Sequence, residues 1–277
     1  MVWEKSVRLL TRAKSATSGS TPTGLRSVGY PSVINGDDLT RKAIIIGATS
    51  GIGKDLAKIF LREGYTVGLA GRRMHLLDEL KDKFPDRVFL KRIDVSRASE
   101  AVEVFSRFIA EMEGVDIVVI SSGTGFINKD LLWPQEKETI DVNVSGFAAM
   151  SNVAMHHFLS KDSGHLVGIS SLAAIRGSSV APAYSASKAF VSNYLEGMRK
   201  KVAQSGSSIT VTNIQPGYVD TAMAQGEGKF WVASPSEAAE QIYAAIKRKR
   251  KHVYVTKRWR LIAWLLKIMP DFLHDKI

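Results

Sequence analysis

The chain of 277 residues contains no cysteine. Disulfides, thiolate-held metals, iron–sulfur clusters and a cysteine nucleophile are excluded, although the compartment is not thereby named. Long apolar runs are missing too, since none reaches the ~18 residues that a spanning helix needs. The N-terminus has no apolar core followed by a small-residue cleavage site of the secretory kind. Acids are scarce in one place only. Over residues 247–277, ten Lys or Arg stand against two Asp or Glu, whereas over 41–246 the count is 23 against 22. The net charge of +11 therefore belongs largely to the tail. That argues against a broadly nucleic-acid-binding domain and for one local basic feature. No metal site is expected. The adjacent His156 and His157 have no carboxylate at ligand spacing and read as helix-packing or surface residues. Glu136 and Glu138 read as a charged helix start.

What is present is the composition of a folded enzyme-sized domain, 45% hydrophobic and 23% charged. A chain of this size buries enough surface to dispense with staples. Residues 11–36 are rich in Ser, Thr, Gly and Pro, so 1–40 is expected to be a flexible arm; an organellar targeting peptide is the less favoured reading, given Glu4 and the weak amphipathic pattern. From residue 41, short apolar runs alternate with helical stretches, at 43–46, 65–70, 87–93, 115–120, 165–170, 208–214 and 252–256. Continuous apolar strands separated by amphipathic helices predict a parallel sheet covered on both faces. The expected fold is a single α/β domain over 41–256, a doubly wound, Rossmann-like sheet of about seven strands, followed by a helix over 257–277.

The first run leads directly into Gly47-Ala48-Thr49-Ser50-Gly51-Ile52-Gly53 and then a helix. Glycines at the mouth of a helix let the backbone approach a pyrophosphate, and the helix N-terminus supplies free N–H groups. The spacing is G-x-x-x-G-x-G, not the commoner G-x-G-x-x-G, and the strand–turn–helix setting is what makes it a dinucleotide site. Another absence follows. The second strand ends in Gly71-Arg72-Arg73, without the acid that would hold the ribose hydroxyls of NAD. Arginine forks suit the additional 2′-phosphate of NADP, so NADP(H) is favoured over NAD(H), with Arg72 the preferred ligand.

Tyr184 and Lys188 lie four residues apart in an Ala-rich helical stretch and share one face. A tyrosine is a poor base at neutral pH, and a nearby ammonium is expected to lower its pKa toward a useful range. Ser171, thirteen residues before Tyr184 at a strand end, can hydrogen-bond a developing oxyanion. Tyr-x-x-x-Lys alone is common on helices; it gains weight from the serine and the nucleotide turn.

With these residues the chain resembles the short-chain dehydrogenase/reductase family over about 42–256. The motifs come in order: the Gly47–Gly53 turn, Asp94-Val95, Asp141-Val142-Asn143, Ile169-Ser170-Ser171, the run Tyr184-Ser185-Ala186-Ser187-Lys188, and Gln215-Pro216-Gly217 with Thr221. The resemblance implies Tyr184 as acid/base, with Lys188 lowering its pKa and binding the nicotinamide ribose. It implies Ser171 positioning the substrate oxygen and Asn143 holding a water that links Lys188 to solvent. Cofactor contacts would fall to Gly47, Thr49, Ser50, Gly51, Ile52, Gly53, Arg72, Arg73, Asp94, Val95, Ser122, Gly123, Pro216, Gly217, Val219 and Thr221, besides Tyr184 and Lys188. Asp94 and Val95 would meet adenine, and Thr221 the carboxamide. A homodimer or homotetramer through the long helices after Asn143 and Tyr184 is also implied. One motif departs from the family: its usual Asn-Asn-Ala-Gly is Ile120-Ser121-Ser122-Gly123 here, and the Ser121 hydroxyl is expected to replace part of the missing amide's bonding.

The segment 222–230 reads as a substrate flap or as an ordinary loop tethered by Trp231. The tail from Lys257 holds Trp259, Trp264 and several Leu and Ile flanked by cations. It suits a helix in a membrane interface, a cap on the substrate pocket, or a dimer contact. The functional expectation is an NADP(H)-dependent reductase or dehydrogenase acting on a small-molecule carbonyl or alcohol, apolar or lipid-like, in the cytoplasm or peripherally on a membrane. Two alternatives remain, the reductase half of a two-enzyme epimerisation and a non-catalytic NADP(H)-binding scaffold with a basic tail.

Overall fold

A computed structural model describes residues 41–223 and 230–274. The expected arm over 1–40 and most of the flap, 224–229, lie outside the described residues.

The strand β1 (Lys42–Ile46) follows Lys42 with one Ala and three Ile, and these four of its five positions are buried. Six more strands join it: β2 (Thr66–Gly71), β3 (Val88–Arg92), β4 (Ile117–Ile120), β5 (Ser163–Ile169), β6 (Ser208–Pro216) and β7 (His252–Val255). All pair in parallel, in the order β3-β2-β1-β4-β5-β6-β7. Each lies within two residues of its run in the sequence.

The helices are α1 (Gly51–Arg62), α2 (Asp78–Lys83), α3 (Ala98–Glu111), α4 (Trp133–Ile140), α5 (Phe147–Lys161), α6 (Pro182–Ser205), α7 (Pro235–Lys247), α8 (Trp259–Ile268) and α9 (Asp271–His274). The single helix expected after 257 is thus two, divided at Met269-Pro270, because proline cannot donate the next backbone bond. Helix starts follow local chemistry. Pro182 and Pro235 sit in the first turns of α6 and α7, and Ser234 Oγ accepts from Glu237 N at 3.1 Å.

The continuous apolar runs are explained by two cores. Ala43 and Ile45 of β1 and Val119 of β4 face one layer with Leu56, Phe60 and Ile242. Ile44, Ile46 and Val118 face the other, with Phe105, Phe108, Phe147 and Phe158. Each such fully buried side chain contributes about 1.5–3 kcal/mol, so no position on these strands can be polar without loss. β1 leads to β2 on one side, and β4 onward lies on the other. The chain ends after β1 and β4 therefore diverge, leaving a crevice at the carboxyl edge of the sheet, where ligands of such folds bind.

Candidate active site

The glycine turn stands at that crevice. Gly47 has φ +90°, and a Cβ there would collide with the backbone of Ser122 at the end of β4. Only glycine allows the two strand ends to come so close. α1 begins immediately after, with no side chain capping its first N–H groups and no acid in its first turn. Those donors and the positive end of the helix dipole are free for an anion. Thr221, from the loop after β6, comes within reach of the same turn: a Cβ on Gly51 would stand 3.0 Å from its Cγ2.

Of the two arginines, Arg73 folds onto the turn, donating to Ser50 Oγ at 3.0 Å and Thr49 Oγ1 at 3.2 Å. Arg72, the arginine preferred from sequence, lies near Asp94 instead. Burial opposes ionisation of Asp94, but bonds from Ser96 Oγ (2.7 Å) and Ser96 N (3.1 Å), with Arg72 and Arg97 nearby, hold its pKa below the usual range. Both cations are exposed beside the place where the adenosine half of a dinucleotide would lie.

The second group of residues gathers around Gly123, after β4. A Cβ at Gly123 would sit 3.1 Å from Lys188 Nζ and 3.4 Å from Asn143 Oδ1. Asn143 is buried in a π-helical segment, Asp141–Gly146, between α4 and α5. Such widened turns recur at functional sites because they turn a side chain out of register. Its amide braces the crevice loop: Thr124 N donates to Oδ1 at 2.9 Å, and Nδ2 donates to Thr124 O at 2.7 Å and Ser187 Oγ at 2.9 Å. Both amide protons are thereby used, and one Oδ1 lone pair is left. Any water relay through Asn143 must use that lone pair or its main chain.

Tyr184 and Lys188 lie one turn apart on α6, with Nζ 5.8 Å from the phenol ring centroid. Lys188 is 4% exposed, and its ammonium donates to Ile169 O at 3.1 Å. Burial pushes its pKa down to about 8. The sequence led us to expect a lowered tyrosine pKa, but the direction here is upward. Burial of the phenol outweighs the Ser171 hydroxyl, which favours phenolate. Ser171 Oγ accepts from Ala173 N at 3.1 Å and lies beside the Tyr184 phenol, so its proton can point to the phenol oxygen or to an oxygen bound in the crevice. The carbonyl of Ser171 is fixed from behind by Gln215 Nε2 at 3.2 Å.

Several participants escaped sequence reasoning. Thr124 and Ser187 hold Asn143; Ser187 is three residues beyond Tyr184 and therefore on its helix face. Gly125 lies against the Tyr184 ring, where a Cβ would collide. The G-x-G pair 123–125 after an apolar strand was the available signal. The Ser121 expectation is not met: among the described residues its hydroxyl makes no hydrogen bond, and the strand ends are joined by Ser121 N to Ile46 O at 2.8 Å. At the other edge, Gly217 N donates to Val255 O at 2.7 Å, Pro216 ends β6, and Val219 bridges to Ala233. A Cβ on Gly217 would collide with the indole of Trp259, so α8 packs directly on this loop. His157 is a packing residue, bonded from Val115 N to its Nε2 at 3.1 Å. Among the described residues no cluster of His, Asp or Glu could hold a metal.

Comparison with known proteins agrees with this geometry. The family model for short chain dehydrogenases matches residues 41–230. An uncharacterised oxidoreductase of Myxococcus xanthus is 38% identical over 243 residues, covering 85% of this chain and 95% of its own. Among solved structures, a short chain dehydrogenase from Burkholderia cenocepacia in complex with NADP superposes with a TM-score of 0.74 at 22% identity, over 86% of this chain and 97% of that one. A short chain dehydrogenase/reductase from Burkholderia phymatum in complex with NAD gives 0.73 at 19% identity, over 82% and 92%.

Proposed function

The chain belongs to the short chain dehydrogenase family of oxidoreductases, and from that premise we propose that it is an NADP(H)-dependent enzyme interconverting a carbonyl and an alcohol on an apolar small molecule. The observation that carries the reading is the convergence of Ser171, Tyr184 and Lys188 at the carboxyl edge of the sheet, beside an uncapped helix N-terminus behind a glycine turn.

The residues fit a dinucleotide. The Gly47 turn leaves no room for a side chain, the first donors of α1 are free, and the Ser122 hydroxyl is buried without a partner. Gly47, Thr49, Ser50, Gly51, Ile52 and Gly53 would hold the pyrophosphate, Arg72 and Arg73 a 2′-phosphate, and Asp94 and Val95 the adenine. Ser122 and Gly123 would flank the cofactor, with Pro216, Gly217, Val219 and Thr221 along the nicotinamide. The bound nicotinamide supplies or accepts the hydride.

In the reductive direction, Ser171 Oγ–H donates to the substrate oxygen and polarises the carbonyl. The Tyr184 phenol, kept neutral by burial, is in the form required to give its proton to that oxygen as negative charge develops. Lys188, at about 8, then stabilises the phenolate and is itself able to pass a proton on near neutral pH. Asn143 positions the crevice loop through Thr124 and has one lone pair left for a water between Lys188 and solvent.

The preference for NADP(H) rests on the two exposed arginines and the missing acid. It agrees with the NADP bound in the B. cenocepacia protein, while the B. phymatum protein holds NAD. Calorimetry with NADPH and NADH, on wild type, Arg72→Ala and Arg73→Ala, tests it. The expected result is NADPH binding weakened roughly tenfold or more by loss of a phosphate-pairing arginine, with NADH unaffected. Equal binding of both nucleotides by all three proteins would refute it. A homodimer or homotetramer on α5 and α6 accompanies the reading.

A further inference from the structure

α8 carries two apolar faces, and the described residues cover only one of them. Trp259 is 2% exposed and Ala263 is buried; with half-buried Ile262 and Leu266 they form the docked face. Trp259 lies against Gly217 and within a cluster of Tyr218, Phe230 and Trp231, with ring centroids 5.0–5.8 Å away. The far end is held by Arg176, from the loop that follows Ser171. Its Nε donates to Leu266 O at 2.9 Å, and its other nitrogens donate to Met269 O and, at 2.9 Å, to Asp271 Oδ1. The helix is therefore anchored at both ends without help from its outer side.

That outer side is the reverse of what water selects. Leu261 is 68% exposed, Trp264 63%, Leu265 46% and Ile268 55%, at spacings that form one continuous stripe. Phe272 and Leu273 extend it onto α9. Arg260 and Lys267, seven residues apart, run along one border, and Lys257 and Arg258 stand at the head of α8. None of the four is paired with a described carboxylate, and Asp271 is already taken by Arg176. Charge chooses the occupant. A second copy would bring two such cationic borders together, at an electrostatic cost. An anionic lipid surface accepts both the apolar stripe and the cations. No described helix is long and apolar enough to cross a membrane, and the one-sided stripe of α8 fits a helix lying flat within the headgroup boundary.

We propose that α8 and α9 dock the protein on an anionic bilayer through Leu261, Trp264, Leu265, Ile268, Phe272 and Leu273. The proposal stands on the tail alone and does not depend on the redox reading. It is tested with the full chain by co-sedimentation with phosphatidylcholine vesicles, with and without phosphatidylglycerol, at low and high salt. The comparison protein is the double variant Trp264→Glu/Leu265→Glu, whose changed side chains are exposed and outside the site. NADPH binding is measured alongside. Wild type should bind the anionic vesicles and release in salt, and the variant should bind at least about tenfold less, with unchanged NADPH binding. Failure of wild type to bind anionic vesicles, or equal binding by the variant, would overturn the proposal. So would a wild-type dimer that the variant disperses, since the stripe would then be a subunit contact. Absence of NADPH binding in wild type would count against the redox reading only.

Discussion

Replacing Lys188 by methionine should make the protein more stable near neutral pH and less stable in alkali. In the native state burial takes the Lys188 pKa from its ordinary 10.5 to about 8. The ammonium is thus held at a penalty of about 3 kcal/mol at any pH below the native value. Between pH 8 and 10.5 the unfolded chain binds the proton and the native chain does not, so wild-type stability rises with pH across that window. Methionine has similar length and no charge, and removes the penalty. It also leaves Ile169 O without the donor at 3.1 Å, a loss of about 1–3 kcal/mol. The variant should therefore gain up to about 2 kcal/mol at pH 7 and lose about 1–3 kcal/mol once both forms of lysine are neutral. Urea unfolding of the two proteins at a series of pH values measures this, and taking their difference cancels the titrations they share. A swing of about 3 kcal/mol from neutral to alkaline pH is expected; a difference flat within about 1 kcal/mol would refute the desolvated-ammonium argument. Activity should be lost at every pH.

Tyr184→Phe removes the proton donor while keeping the ring packed on Gly125. NADPH should still bind and turnover should fall by about a hundred- to ten-thousand-fold, so a rate within about tenfold of wild type would exclude Tyr184 as the acid. Trp259→Ala takes out the large anchor of α8; such truncations cost about 3–5 kcal/mol when fully coupled to the fold. Because α8 is peripheral, hydrogen exchange should show its amides losing protection while those of β1, β4 and β5 keep theirs; retained protection in α8 would contradict this. His165, with its pKa pushed down to about 4 by burial and by Lys249, is expected to be neutral in the native state. Stability should thus fall as pH drops from 6.5 toward 4, by up to about 3 kcal/mol, and thermal unfolding of His165→Gln should show a shallower decline over that range.

Much of the site could be read along the chain because its parts are local. The glycine turn follows its own strand, and Tyr184, Ser187 and Lys188 share one helix face by spacing alone. What could not be read is the pairing of distant groups. Nothing near Asn143 in sequence says that Thr124 takes up its amide, or that Gly125 makes room for the tyrosine ring. Arg72 and Arg73 are adjacent and chemically alike; only the path after β2 sends Arg73 back to Thr49 and Ser50 and leaves Arg72 beside Asp94.

The sign of the tyrosine shift shows the same division. Spacing brings an ammonium near a phenol and suggests a lowered pKa. The packed helix buries both groups, and desolvation then acts on each against its charged form. The order of apolar runs was sufficient for a parallel sheet, since strands buried on both faces are apolar throughout and lack the alternation of a solvent-facing strand. The tail was not decided in this way. Its composition served membrane contact as well as the two packing roles together, a pocket cap or a dimer contact. Which residues turn inward was settled by the fit of the Trp259 indole against Gly217 and by the reach of Arg176 to the end of α8. Those contacts join residues far apart in the chain, so they exist only once the sheet has brought its carboxyl-end loops together.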